Sequence, residues 1–332
     1  MTRYTITILA LTSTMAVAAL PLASLAGGEQ SPARTDLTLL VPGHEGGGWD
    51  STTRAVGELL ETAGLVAAVS YENVGGENGA LGLAHFLENA PELQDTLMLN
   101  STQIVLRSVN GSYEKSYTEL VPIAAPVTGC IAFIVHPGSD LQTMGDLADA
   151  RSQAGADFAL GGGSEPGGID HVASAMAMAT AGQDVGFDYL QFEDPAAAFQ
   201  ALTTGEAHAL ATDCTRAFGF AEQGALRILG VTAGSSDDLP NGVQTLEDQG
   251  IDMELVTWSG FFAAPGVSET QTEAFEELFS ALYEAEAWES AAAAKGWAEP
   301  IESSESFAKL LQTQEAAIRE ALSMIEAAKA GQ

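Results

Sequence analysis

The sequence predicts a two-lobed α/β fold, and three observations predict it. Short apolar stretches bounded by turn residues alternate with stretches of helical periodicity along the chain. The alternation restarts after an apolar stretch that is stopped by Pro137. A glycine-rich turn between a strand and a helix occurs once in each half. With 332 residues, 46% of them hydrophobic, the chain has the length and apolar content for about two cored units and is not intrinsically disordered.

At the N-terminus, Arg3 precedes an apolar stretch from about Tyr4 to Leu22 that is broken by Pro21. Ser24 and Ala26 occupy the −3 and −1 positions of a cleavage site, so residues 1–26 read as a secretory signal peptide cleaved near Ala26. No cysteine follows to carry a lipid anchor, and no other stretch is apolar enough to span a bilayer. The mature protein is therefore expected to be soluble and exported, with residues 27–35 as a disordered leader.

Leu37–Val41 then reads as a buried strand, Asp50–Leu60 as a helix ending near Gly64, and Ala67–Glu72 as a second strand. Helix Ala80–Leu87, strand Thr96–Leu99 and helix Thr102–Val109 continue the alternation, which implies mostly parallel strands joined by crossover helices. Cys130–Val135 is a strongly apolar strand. Beyond it come helix Met144–Arg151, strand Phe158–Leu160, helix Val172–Ala181, strand Phe187–Phe192 and helix Ala196–Thr203. Strands Ala207–Thr212 and Leu226–Thr232 complete this second unit. Strand Trp258–Ala264 ends at Pro265, and the remainder is helical: 269–286, 287–294 and about 304–330. The last helix carries Phe307, Leu310, Leu311, Ile318, Leu322 and Ile325 on one broad face. The long apolar strands near 130–136 and 258–264 are the expected connections between the two lobes, with a cleft between them.

Charge narrows the function. There are 45 Asp and Glu against 12 Lys and Arg, a formal net charge of −33. Nucleic-acid binding and adsorption to anionic lipid both need clustered cations, so both are excluded. Such acidity is expected to belong to a solvated surface suited to a salty exterior, and any small anion must be held by local devices rather than by the overall field. Only two cysteines occur, Cys130 and Cys214. Buried free thiols are the favoured expectation, a disulfide the alternative. Five scattered histidines (44, 85, 136, 171 and 208) make no metal-binding pair.

The two glycine loops are such local devices. The first runs Pro42-Gly43-His44-Glu45-Gly46-Gly47-Gly48-Trp49-Asp50; the second runs Gly161-Gly162-Gly163-Ser164-Glu165-Pro166-Gly167-Gly168-Ile169-Asp170. Both end Gly-Gly-apolar-Asp, with the aspartates 170 − 50 = 120 positions apart. Glycine lets a ligand approach main-chain N–H groups, and a helix N-terminus adds unpaired donors and partial positive charge. Together these can hold a carboxylate without a basic side chain. Asp50 and Asp170 are expected to cap their helices, a role compatible with facing a ligand. Trp49 is a cleft wall or a core anchor. No phosphate-binding P-loop, dinucleotide fingerprint or nucleophile elbow is present.

The stretch Val41-Pro42 to Gly46-Gly47-Gly48-Trp49-Asp50 and Arg54 resembles the first motif of the tripartite tricarboxylate transporter substrate-binding proteins, the Bug family. Asn73 with Gly75-Gly76-Glu77-Asn78-Gly79-Ala80, the second glycine loop through His171, and Trp258-Ser259-Gly260-Phe261-Phe262 to Ser268 match in order. The resemblance spans nearly the whole mature chain. It implies a type II periplasmic-binding-protein (Venus flytrap) fold: two lobes, each a mixed sheet flanked by helices, with lobe I formed by 36–129 plus 255–332 and lobe II by 130–254. It implies a solute-binding protein, not an enzyme, that closes on a small organic carboxylate and delivers it to the large and small permease subunits of a membrane transporter. No cofactor or metal and a monomeric state are expected.

Carried over by position, the ligand contacts are Gly46, Gly47, Gly48 and Asp50, with Gly162, Gly163, Ser164, Gly168 and Asp170 as counterparts. Ser101, Thr102, Thr212, Asp213 and Arg216 are further cleft candidates after their strands, with Arg216 the best side-chain partner for a carboxylate. The chain departs from the family at Glu193-Asp194-Pro195-Ala196, where a glycine-rich turn is usual. Asp194 and Pro195 still suit a helix start, but the bulkier acidic turn disfavours a highly charged ligand such as citrate. The alternatives are an exported enzyme using Asp170 or His171 as base, or a receptor presenting its ligand to a membrane sensor.

Overall fold

The computed structural model describes residues 34–192, 194–235, 239–240 and 242–330. The expected signal peptide and residues 27–33 of the expected leader lie outside the described residues. Arg34 and Thr35 belong to the first strand rather than to a leader.

The first sheet contains β1 (Arg34–Val41), β2 (Val66–Asn73), β3 (Thr96–Ser101) and β4 (Val121–Gly129). Helices α1 (Gly48–Thr62), α2 (Ala80–Glu88) and α3 (Thr102–Val109) make the crossovers. The second sheet contains β5 (Ile131–Val135), β6 (Ala159–Gly162), β7 (Asp188–Gln191), β8 (Ala209–Asp213) and β9 (Arg227–Val231). Its helices are α4 (Met144–Ala154), α5 (Ile169–Thr180), α6 (Pro195–Thr204) and α7 (Cys214–Glu222). Strand β10 (Thr257–Ala263) returns to the first sheet, followed by α8 (Glu269–Tyr283), α9 (Glu286–Lys295) and α10 (Ser304–Ala330).

The strand orders are β2-β1-β3-β10-β4 and β7-β6-β8-β5-β9. In each sheet three strands run parallel, and one antiparallel strand, β10 or β5, pairs with the third and with an outer strand. Both sheets are thus mixed and share one topology. The expectation that two long apolar strands bridge the lobes is corrected: β5 and β10 each lie within one sheet. The chain passes between the sheets at Cys130, a single residue between β4 and β5, and again between β9 and β10.

Two elements go beyond the sequence expectation. Strand β4 contains Pro122 and Pro126, which argue against a strand, yet it is the edge of its sheet, where a missing N–H donor is tolerated. Helix α7 is short, includes Gly219, and follows β8 without a loop. It is started by Asp213, whose Oδ1 accepts from the Arg216 N–H at 3.2 Å.

The cysteines correct a second expectation: Cys130 and Cys214 form a disulfide, with Cα atoms 5.3 Å apart. Strand pairing explains it. β5 and β8 run antiparallel with Ile131 opposite Asp213, so residues 130 and 214 face each other one step beyond that pair. The Cys214 N–H donates to the Cys130 carbonyl at 3.0 Å.

One continuous core joins residues of both sheets, including Leu40 and Met98 of the first and Phe133 and Leu160 of the second. Helix α10 contributes Phe307, Leu311, Ile318 and Ile325 to it, the face expected from the sequence, and packs against β4, α3 and α5. A second core lies under α1, α8 and α9, and a third under α6 and α7.

Candidate functional site

Both glycine loops leave the C-terminal end of a parallel strand and enter a helix, β1 to α1 and β6 to α5. In the first, Gly46 has φ +77°, a left-handed conformation that glycine adopts without strain, and Gly47 is the N-cap. In the second, Gly167 has φ +85° and Gly168 is the N-cap. The expectation that Asp50 and Asp170 cap the helices is therefore corrected: glycines hold those positions, and both aspartates lie inside the first turn.

Asp50, the third residue of α1, is buried and folds back on its own loop. Its Oδ2 accepts the Gly46 N–H at 2.9 Å, and its Oδ1 accepts from Asn73 Nδ2 at 3.0 Å. Arg54 Nε lies 3.0 Å from both carboxylate oxygens. Asn73, at the end of β2, also donates to the Gly43 carbonyl at 3.1 Å. Arg54, one helical turn on, is held over the Tyr71 ring at 4.6 Å. The Arg54 hydrogen bond outweighs burial and holds the Asp50 carboxyl at about 2, below the usual range.

Asp170, the second residue of α5, uses Oδ2 to accept the N–H groups of Gly163 and Ser164, both at 2.9 Å. Ser164 Oγ in turn accepts the Asp170 N–H at 3.0 Å. Burial raises the Asp170 pKa against the opposing pull of these donors. Next to it, His171 Nδ1 accepts the Gly167 N–H at 2.9 Å, and its ring stacks on Tyr189 at 4.4 Å. Burial, with a smaller contribution from Lys329, depresses the imidazole to about 4. An Nδ1 that accepts requires the neutral ring with its proton on Nε2.

The glycines of the loops serve two purposes. A Cβ on Gly162 would come within 2.5 Å of the Tyr189 hydroxyl and 2.6 Å of Asp170 Cβ, and one on Gly168 within 2.7 Å of Ser164. These two are required by packing. At Gly163 the nearest atom would be 3.8 Å away, an ordinary contact, and at Gly48 nothing lies within 4 Å, so packing requires neither glycine. The amides of Gly46, Gly163 and Ser164 are engaged by the aspartates, and that of Gly47 by the His44 carbonyl at 3.2 Å. Helix geometry leaves the first-turn amides of Gly48 and Trp49 without intrahelical partners.

The other candidates separate in the same way. Ser101 Oγ accepts from Trp49 Nε1 at 3.1 Å, tying the first loop to the end of β3, while Trp49 leans on the core beneath α1. Thr102 is buried, and its Oγ1 accepts the Trp258 N–H at 3.0 Å, a structural role. Asp213 caps α7. Arg216, exposed on α7, is different from every other described arginine. Arg34, Arg54, Arg107, Arg151, Arg227 and Arg319 all commit their guanidinium groups to carboxylates or carbonyls. Among the described residues, the Arg216 guanidinium makes no hydrogen bond or ion pair. It lines a cavity of about 150 Å³ together with Gly162, Gly163, Thr212 and Phe192. Asp170 is near enough to feel its charge.

One contact was not anticipated. Arg107 on α3 pairs with Glu165 of the second loop at 2.9 Å, joining the two sheet systems beside the loops. Its only sequence signal is a cation on a helix that follows a candidate strand end. In the acidic turn, Glu193 lies outside the described residues, and Asp194 does cap α6, accepting the Ala196 N–H at 2.9 Å. Among the described residues no cluster of His, Cys, Asp and Glu could hold a metal ion, and no helix is long and apolar enough to cross a membrane.

Residues 61–326 match the model of the tripartite tricarboxylate transporter family receptor. No curated protein matches the chain by sequence. Among solved structures, a TctC solute-binding protein from Polaromonas is similar over 88% of this chain and 99% of its own, at 21% identity and TM-score 0.76. An adipate-bound Rhodopseudomonas palustris protein matches over 89% of this chain and 98% of its own, at 17% identity and TM-score 0.69. MatC from the same organism, with bound malate, matches over 87% and 99%, at 16% identity and TM-score 0.65. These likenesses establish the two-lobed fold of periplasmic binding proteins.

Proposed function

Because the chain belongs to the tripartite tricarboxylate transporter receptor family, whose members are periplasmic binding proteins and not enzymes, we propose that it captures a small organic carboxylate between two lobes. Residues 36–129 with 255–332 form one lobe and 130–254 the other. The loaded receptor delivers its ligand to the large and small permease subunits of a membrane transporter.

The observation that carries this reading is the Arg216 guanidinium, without a partner among the described residues, lining one cavity with Gly163 at the C-terminal ends of β6 and β8. In a protein with net charge −33, the Arg216 guanidinium makes no hydrogen bond or ion pair among the described residues, and it lines the same cavity as Gly163. Arg216 offers a planar fork of donors matched to a carboxylate. The first-turn amides of Gly48 and Trp49, which have no intrahelical partner, offer a second anchor from the opposite loop. Asp50 and Asp170 act as braces of the loops that shape the site. The carboxylates bound by the adipate and malate relatives support the ligand class. Isothermal titration of the folded protein against mono-, di- and tricarboxylates tests the proposal. Binding by at least one class is expected, with loss of tenfold or more in Arg216→Gln, and silence across the panel would refute it.

A further inference from the structure

The cavity behind Arg216 is built for hydrocarbon. Its walls are Ile134 of β5, Leu210 of β8, Phe192 after β7, Phe199 of α6, and Phe220 with Leu226 on and after α7. The polar groups of the lining are the Thr212 hydroxyl, the Arg216 guanidinium and the main chain at Gly162 and Gly163. A space of about 150 Å³ is the size that accepts a benzene-sized guest.

From this arrangement, and resting on the carboxylate-binding reading above, we infer that the ligand is an amphipathic organic acid: one carboxylate meets Arg216, and a ring-sized or short-chain hydrocarbon body enters the cavity beneath α6 and α7. A second carboxylate reaching into this space would lose its hydration without finding a donor there, which is the costly case for a buried charge. Thr212 is the lining side chain with a hydroxyl, enough to orient a ligand and too little to neutralise an anion.

The far wall sets the length of that body. Phe199 and Phe220 meet edge to face, with centroids 4.9 Å apart. They also line a second cavity of about 230 Å³ with His136, Leu202, Thr203 and Ala225. The aromatic pair therefore separates the two cavities, and the ligand body ends where the pair begins.

Isothermal titration of the full-length mature protein with phenylacetate, hexanoate, decanoate, succinate and citrate tests this. Phenylacetate or hexanoate is expected to bind at least tenfold more tightly than citrate and than decanoate. Ala198→Phe, which places a ring in the cavity, is expected to weaken phenylacetate at least tenfold. Phe199→Ala, which opens the partition, is expected to improve decanoate relative to hexanoate; circular dichroism verifies the fold of both variants. Succinate or citrate as the tightest ligand would overturn the amphipathic assignment while leaving the carboxylate-receptor reading in place. Failure of all five acids to bind would overturn both.

Discussion

The N–H of Gly167 donates to Nδ1 of His171 at 2.9 Å, and this bond is the counterpart of the one from Gly46 to Asp50. In both loops a left-handed glycine precedes the N-cap, and the third helical residue reaches back to its amide. Aligned by these caps, the loops are offset by 168 − 47 = 121 positions, so His171 rather than Asp170 stands where Asp50 stands. A carboxylate paired with arginine does this work in one loop, a neutral buried imidazole in the other.

That difference gives the second loop a pH dependence. The His171 pKa falls from 6.5 to about 4 on folding, so the unfolded chain takes up its proton first. Its contribution, of the order of 3 kcal/mol at most, is complete above about pH 6.5 and is lost as pH falls towards 4. Denaturant unfolding across that range should show the loss, and His171→Asn should flatten it. The Asp50 window lies lower: its pKa is depressed to about 2, so its contribution is lost only as pH falls through the range from 3.8 to 2.

Removing the Asp50 carboxylate charge should loosen the first loop. Asp50→Asn weakens its bonds to Gly46 and Arg54 and forces one amide proton against a donor, at a cost of about 1–3 kcal/mol. Thermal denaturation should report a lower midpoint. The melting of Asp50→Asn at neutral pH should match wild type if the brace is unimportant.

Neighbouring glycines should respond differently to one added methyl group. Gly162→Ala forces Tyr189 and Asp170 apart and should destabilise the fold by about 1–3 kcal/mol. Gly163→Ala meets no atom closer than 3.8 Å and should leave the melting temperature nearly unchanged while weakening ligand binding. Paired melting and titration experiments separate the two effects.

The disulfide should stabilise the protein through its unfolded state. It closes a sequence separation of 84 residues, and the double variant Cys130→Ala, Cys214→Ala should lose about 2–4 kcal/mol. Thiol titration of the denatured, unreduced protein should detect no free cysteine.

Much of the fold is legible before any coordinates. The periodicity of α10 forecasts the face that is buried, and the Gly-Gly-apolar-Asp pattern marks both strand-to-helix turns. Strand β4 escapes because Pro122 and Pro126 read as interruptions; only its edge position makes them harmless. Arg216 is identifiable as a candidate, but that it lines one cavity with Gly163 and Thr212 is decided by strand pairing.

By itself the sequence determined the alternation of strands and helices, the two glycine turns and the family, because these depend on local periodicity and short contiguous motifs. Tertiary structure alone decided which backbone amides the aspartates occupy, that Cys130 faces Cys214, and that an apolar cavity opens behind Arg216. Each of those depends on strand register and on helices packing from distant parts of the chain, and no local pattern encodes a distance between residues brought together only by pairing.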